Sequence, residues 1–321
     1  MKKGFIFILI IIPLVTCAQV DYSVVAVNEE SGLNLTPITS DNDGVCMPLI
    51  KRRAGKIEWS SDKIIDISVD GKQLAYLSFR NNTSNIFIKD IDKQGSSVQR
   101  TNRQSIIDFN YSPDGQYICF TEKSGKFSQI YQTNAKTGYV CRQITNNNKD
   151  FTPIYSKDLQ LIYFSRQEGK TAGIWSYNIA NNFLTSYTTG LSPYPINSQQ
   201  IICTRINAEG LGEIWRIDFE KGIEECIVND AFRSFTTPTI SPDGEWILMV
   251  GSNVIKNGKR QYVNTDIFVC RTDGTQLTQL TYHAADDVSP VWGRDGQYIY
   301  FISQRGSVSG KANVWRMSFI H

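Results

Sequence analysis

The sequence predicts an all-β fold, a six-bladed β-propeller of four-stranded antiparallel blades whose last blade is closed by the N-terminal strand. Three observations lead there: one turn recurs along the 321 residues, an apolar β-rich run follows each copy, and an aromatic holds a set place in the next strand. Self-similarity at about 40–50 residues, with several short strands per repeat, marks propeller blades rather than a sandwich.

The turn sets the register. Val69-Asp70-Gly71-Lys72, Pro113-Asp114-Gly115-Gln116, Lys157-Asp158-Leu159-Gln160, Pro242-Asp243-Gly244-Glu245 and Arg294-Asp295-Gly296-Gln297 recur with Asp spacings of 44, 44, 85 and 52. The gap of 85 is nearly two periods, and Ile196-Asn197-Ser198-Gln199-Gln200 stands where a degenerate copy is due, which makes six units. In Ser-Pro-Asp-Gly the Pro presets φ, the Asp side chain bonds the backbone, and Gly takes a positive φ, which is hairpin chemistry.

The strands follow in order. Leu74-Ala75-Tyr76-Leu77, Tyr117-Ile118-Cys119-Phe120, Leu161-Ile162-Tyr163-Phe164, Ile201-Ile202-Cys203, Trp246-Ile247-Leu248-Met249 and Tyr298-Ile299-Tyr300-Phe301 suit a sheet packed on both faces. The next strand places an aromatic at Phe87, Tyr131, Trp175, Trp215, Phe268 and Trp315. A fourth strand is clearest in Gln276-Leu277-Thr278-Gln279-Leu280-Thr281 and Val140-Cys141-Arg142-Gln143-Ile144-Thr145. The sixth unit ends at Val314 to Phe319 without one, and Asn34-Leu35-Thr36-Pro37-Ile38-Thr39 matches the missing pattern. That strand is expected to set Leu35 and Ile38 against Trp315 and Met317 and to close the ring, removing an exposed edge.

Residues 1–18 read as a secretory signal and residues 19–321 as a single propeller domain. Lys2 and Lys3 precede a twelve-residue apolar stretch, Gly4 to Val15, too short to span a bilayer comfortably. Thr16-Cys17-Ala18 fits ordinary signal peptidase, and Leu14-Val15-Thr16-Cys17 resembles a lipoprotein box with lipidation at Cys17. Ordinary cleavage is preferred, because Thr is unusual immediately before a lipidated Cys. The expected location is the periplasm, with a membrane tether if Cys17 is lipidated, and no later apolar run is long enough to cross a membrane. With 33 Lys and Arg against 31 Asp and Glu, the net charge of +2 argues for neither nucleic acid nor an anionic membrane as partner.

Asp287-Val288-Ser289-Pro290-Val291-Trp292-Gly293-Arg294-Asp295-Gly296, Tyr111-Ser112-Pro113-Asp114-Gly115 and Ile240-Ser241-Pro242-Asp243-Gly244 resemble the repeat of the TolB-type propeller over nearly the whole mature chain. The resemblance implies the fold; similar propellers serve as envelope scaffolds, peptidase side domains and polysaccharide enzymes. TolB itself carries an extra N-terminal α/β domain, for which the residues between the signal and Asn34 leave no room.

The candidate chemistry is sparse. A pectin-fragment lyase of this fold would need several metal-binding histidines, and this chain has His283 in a loop and His321 at its end. Gly306-Ser307-Val308-Ser309-Gly310 has Val at the centre of a would-be nucleophile elbow and reads as a flexible loop. Cys119 and Cys141, like Cys203 and Cys226, fall two strands apart in one blade, about 9.5 Å, beyond the reach of a disulfide. Cys46 and Cys270 sit in different units, so free buried thiols are expected.

Two places are candidate binding sites. The segment Asp41 to Asp62, with Lys51, Arg52, Arg53, Lys56 and Trp59, reads either as a basic, aromatic-anchored docking loop or as a solvated insertion. A second insertion, Ser252 to Asn264, carries Lys256, Lys259 and Arg260 and reads as a solvated hairpin extension. At the channel mouth, Asp150 and Asp287 each stand eight residues before their turn aspartates, so they occupy equivalent places in units three and six, across the axis. With Asp108 and Asp286 they could form an acidic rim that holds a calcium ion or receives a basic segment, or each could cap its own strand loop. No other cofactor is expected.

These features favour a non-enzymatic envelope protein, monomeric by itself, that offers a propeller face to another envelope protein or a cell-wall-associated ligand. The alternative is a carbohydrate-active or hydrolytic propeller, which would need a cluster of perturbed ionisable groups inside the channel.

Overall fold

A computed structural model describes residues 30–319 apart from 49–50, 54–55, 59–62, 94, 139–140, 147–148, 258–259 and 308; of 51–53, 56–58 and 253–263 it describes the backbone alone. The signal segment, Cys17, Trp59 and His321 thus lie outside the described residues, as do the side chains of Lys51, Arg52, Arg53, Lys56, Lys256, Lys259 and Arg260.

Six four-stranded antiparallel sheets form the blades of a propeller. Blade one runs Ile65–Ile67, Gln73–Arg80, Thr83–Asp90, Val98–Gln99 from first strand to fourth. The first strands of blades two to six are Ile106–Tyr111, Asp150–Tyr155, Leu191–Pro195, Arg233–Ile240 and Asp287–Trp292. Residues from all six first strands or their flanks line one cavity, so these are the inner strands around the axis. Each runs from the end where the second and third strands join, the hairpin end, to the recurring turn, the turn end.

The turns confirm the register. Across each one an amide bonds a carbonyl, Ser68 to Gln73, Ser112 to Tyr117, Ser156 to Leu161, Ile196 to Gln200, Ser241 to Trp246 and Gly293 to Tyr298. The fourth copy is one residue shorter, which is why its sequence looked degenerate. In the four Ser turns the hydroxyl donates to the turn Asp and accepts the amide five residues on, as in Ser112 with Asp114 and Tyr117. Gly71, Gly115, Gly244 and Gly296 take φ of 70–82°, and Leu159 holds the same left-handed place at 60°.

A second repeated feature joins neighbouring blades. Thr152, Ser192, Thr237 and Ser289 each precede a Pro and sit at φ of 50–56°, where the inner strand bulges. A bulge frees an amide from its own ladder. The Thr152 amide donates to Asp108 Oδ2 (3.0 Å), that of Ser192 to Ser165 Oγ (3.0 Å) and that of Thr237 to Thr204 Oγ1 (3.1 Å), each acceptor on the preceding blade. Ser289 Oγ accepts from the Ile64 amide of blade one, 2.9 Å away. Apolar side chains fill the spaces between blades, for example Ile214, Phe235, Met249 and Phe268 between blades four and five.

The N-terminal strand Thr36–Pro37 pairs antiparallel with Asn313–Ser318 and completes blade six. Thr36 faces Arg316 and Pro37 faces Trp315, so the strand is the expected one with a different division of its side chains. Leu33 and Leu35 pack against the cluster of Trp292, Phe301 and Met317, whereas Ile38 turns to the core around blade one. The Gly306 to Gly310 loop is anchored: Ser307 and Ser309 donate to Asp41, which also accepts from Asn313. Cys46, Cys119, Cys141, Cys203, Cys226 and Cys270 are free thiols, as expected, but only Cys119, Cys203 and Cys270 are buried, Cys46, Cys141 and Cys226 being half-buried. Lys51–Arg53 pairs with Lys56–Glu58 as a small hairpin, and Trp246–Asn257 with Arg260–Arg271 as a long one. Among the described residues no helix is long and apolar enough to cross a membrane.

Candidate functional site: the axial channel

The hairpin end of the channel wall holds the aspartates singled out by spacing. Asp150 and Asp287 begin equivalent inner strands, and both are fully buried. Asp150 takes a two-pronged ion pair from Arg166 on the adjoining strand, Nε to Oδ1 at 2.7 Å and Nη2 to Oδ2 at 3.0 Å. Asp287 is bonded by Arg305, whose other nitrogen reaches Glu30 Oε2 at 2.8 Å. Asp108, also buried, accepts the Thr152 amide, and the half-buried Asp286 accepts the amide and hydroxyl of Thr265, both at 3.1 Å. The charges expected on an open rim are therefore turned into the wall. The spacing located the two equivalent carboxylates; their arginine partners carry no local sequence signal.

Burial dominates the ionisation of this region. It raises Asp150 despite Arg166, raises Asp287 to about 6 despite Arg305, and with the charges of Asp287 and Glu30 raises Asp266 to about 8. Burial also lowers His283, whose Nδ1 accepts the Ala285 amide at 2.9 Å. Among the described residues, no group of three or more His, Cys, Asp or Glu is placed to hold a metal ion.

The turn end is different. A cavity of about 260 Å³ lies on the axis there. Counting back two residues from the first residue of each turn gives one ring of six lining side chains: Asp66, Asn110, Ile154, Tyr194, Thr239 and Val291. Lys63, Lys157 and Arg294 bring three cations to the lining against the one carboxylate of Asp66. Asp66 Oδ2 accepts from Asn110 Nδ2 (3.0 Å) and the Tyr111 amide (2.9 Å), while Oδ1 accepts the Ile67 amide (2.8 Å) and lies 3.6 Å from Arg294. Arg294 also donates to the carbonyls of Ile67 and Ser68, tying blade six to blade one. Sequence reasoning missed this site, because its charges fall in an apolar strand run (Lys63) and in turns (Lys157, Arg294) with no motif of their own.

Residues 22–253 match the TolB beta propeller domain. The chain belongs to that family. No curated protein matches it. Among solved structures, this chain resembles one described as a putative TolB from Agrobacterium tumefaciens, at a TM-score of 0.60 and 18% identity, over 83% of this chain and 94% of that one. TolB from Acinetobacter baumannii gives 0.61 and 19%, over 77% of this chain and 64% of that one, so the likeness leaves about a third of that protein unmatched. An oligogalacturonate lyase from Vibrio parahaemolyticus gives 0.59 and 11%, over 89% and 94%. At such identities the likeness establishes the fold, which TolB-family propellers share with enzymes of other kinds.

Proposed function

We propose that this TolB-family propeller is a non-enzymatic scaffold of the cell envelope, reached by export, that binds another protein or a cell-wall-associated ligand on its hairpin-end face. The observation that carries the reading is the placement of exposed large apolar side chains. Phe79, Phe127, Ile206 and Phe232 are 60%, 40%, 43% and 81% exposed. All four stand at the hairpin end: Phe79 pairs with Ser84, Phe127 with Ser124 and Ile206 with Gly212 beside their hairpins, and Phe232 precedes Arg233, which pairs with Asn253. Single exposed apolar residues are ordinary, and Val69, Tyr117, Phe183, Leu184 and Ile223 are exposed towards the turn end, but three of the four exposed phenylalanines among the described residues, Phe79, Phe127 and Phe232, share the hairpin-end face, which favours a contact surface there. The twelve-residue strands of blade five also carry its hairpin further out on that face than the eight-residue strands of blade one.

Phe79→Ser with Phe232→Ser removes the two most exposed of these residues from that face without touching the core. Affinity capture from envelope fractions should recover a specific partner with the parent protein and at least about tenfold less with the double variant, thermal unfolding being unchanged. Equal recovery of the same partner would move the contact surface elsewhere.

A further inference from the structure

We propose that the axial cavity at the turn end binds a ligand through a carboxylate group, with Lys63 as the residue that meets the charge. Lys63 lines the cavity, and its ammonium makes no hydrogen bond or close ion pair with any described residue. A buried cation without a directly bonded partner is costly, and proteins rarely keep one without a use. Two carboxylates, Asp66 and Asp108, lie near enough to favour its charge, but neither bonds it. Asp66 is occupied by Asn110, two backbone amides and Arg294, and with Arg294 it forms a neutral pair within the wall.

Two further donors in the lining lack partners. Thr239 Oγ1 and Trp292 Nε1 are buried and bonded to nothing in the protein, and both residues are more than nine-tenths buried. Thr239, Trp292 and Lys63 belong to blades five, six and one, three consecutive blades of the ring. A carboxylate accepts several donors at once, which suits an ammonium, a hydroxyl and an indole N–H supplied by three neighbouring blades. With Arg294 paired to Asp66, Lys63 and Lys157 leave the lining net positive, which suits an anion such as a carboxylate. Ile154, Pro195, Ile240 and Val291 share the remainder with Asn110, Tyr111, Tyr194 and Ser241, so the body attached to the carboxylate is short and of mixed polarity. At about 260 Å³ the space takes a small acid or the tip of a longer chain. Lys157 adds positive potential that draws an anion in. Burial lowers the pKa of the Lys63 ammonium, a tendency that an incoming anion reverses.

Butyrate and an N-acetylated tripeptide ending in Ala, each paired with its neutral amide, probe the two sources of such a group, a free acid and a chain terminus. Isothermal titration should show saturable binding of at least one acid and none of the matching amide, with affinity at least about tenfold lower in Lys63→Met and largely kept in Lys63→Arg. Butyrate binding assigns the site to a free acid; binding of the tripeptide acid alone assigns it to a chain terminus. Because the Lys63 ammonium has no directly bonded partner among the described residues, Lys63→Met should leave the thermal midpoint unchanged or raised. No binding of either acid, equal binding of acid and amide, unchanged affinity in Lys63→Met, or a large fall in its midpoint would each overturn the proposal. Partner capture through Phe79 and Phe232 is unaffected by either result.

Discussion

Asp266 shows how a single carboxylate can work against the fold that contains it. It is buried on the third strand of blade five with the charges of Asp287, Glu30 and Asp286 around it, while Arg305 is engaged by Glu30 and Asp287. Asn264 Nδ2 supplies one bond, at 3.2 Å. In the unfolded chain both Asp266 and Asp287 titrate near about 3.9. Their folded values of about 8 and about 6 mean that the folded state holds more protons across that interval. The stability they contribute is complete below about pH 4 and is lost as pH rises through about 6 and then about 8. Asp266→Asn should therefore raise the thermal midpoint relative to the parent at pH 8.5 and by much less at pH 4. Thermal unfolding at the two pH values checks this, and a variant less stable at pH 8.5 would contradict the sign. Little of this was legible in the sequence. The turn register found Asp150 and Asp287, but Arg305 meets Glu30 from 275 positions away, and only the closed ring brings them together.

At the scale of the strand, the repeat carries a hydrogen bond that its pattern does not announce. Two residues beyond the short fourth strands of blades one, two, five and six stands a threonine, and the buried hydroxyls of Thr39, Thr101, Thr145 and Thr281 accept the amides of Val314, Ile86, Ile130 and Ile267. These amides lie where the short fourth strand stops pairing with the third, so the side chain continues the ladder. The Gln-Leu-Thr pattern was legible as a strand; the function of its threonine was not, because Thr is as good a strand former when it bonds nothing. Thr101→Val keeps shape and propensity but leaves the Ile86 amide buried without an acceptor, a loss of about 1–3 kcal/mol. The same change at the exposed Thr278 should stay within about 0.5 kcal/mol. Denaturant unfolding of both variants measures the difference, and equal midpoints would remove the threonine from the ladder.

Over the whole molecule, a ring of blades is only as stable as the contact between its first and last members. The period and the missing sixth fourth-strand made that closure legible, whereas its register was not, because a two-residue pairing is set by packing on both sides. Residues 30–40 contribute at several points. Glu30 shares Arg305 with Asp287, Thr39 accepts the Val314 amide at 2.8 Å, and the Leu33 carbonyl accepts the Ser318 amide at 2.7 Å. Leu33 and Leu35 cover one side of blade six and Ile38 meets the core of blade one on the other. Removing residues 30–40 leaves Arg305 with Asp287 alone, opens apolar surface between blades, and bares the Asn313–Ser318 strand as an edge that another chain can pair with. The truncated protein should unfold several degrees lower as a whole, since the other blades pack only on their neighbours, and should associate at higher concentration. A peptide of residues 30–44 added in trans should recover part of the lost midpoint and suppress the association, because it restores both the strand and the Glu30 to Arg305 contact. Thermal unfolding and light scattering with and without that peptide test the pair of effects, and a truncated protein with the parent midpoint would show that the ring is closed by contacts other than this strand.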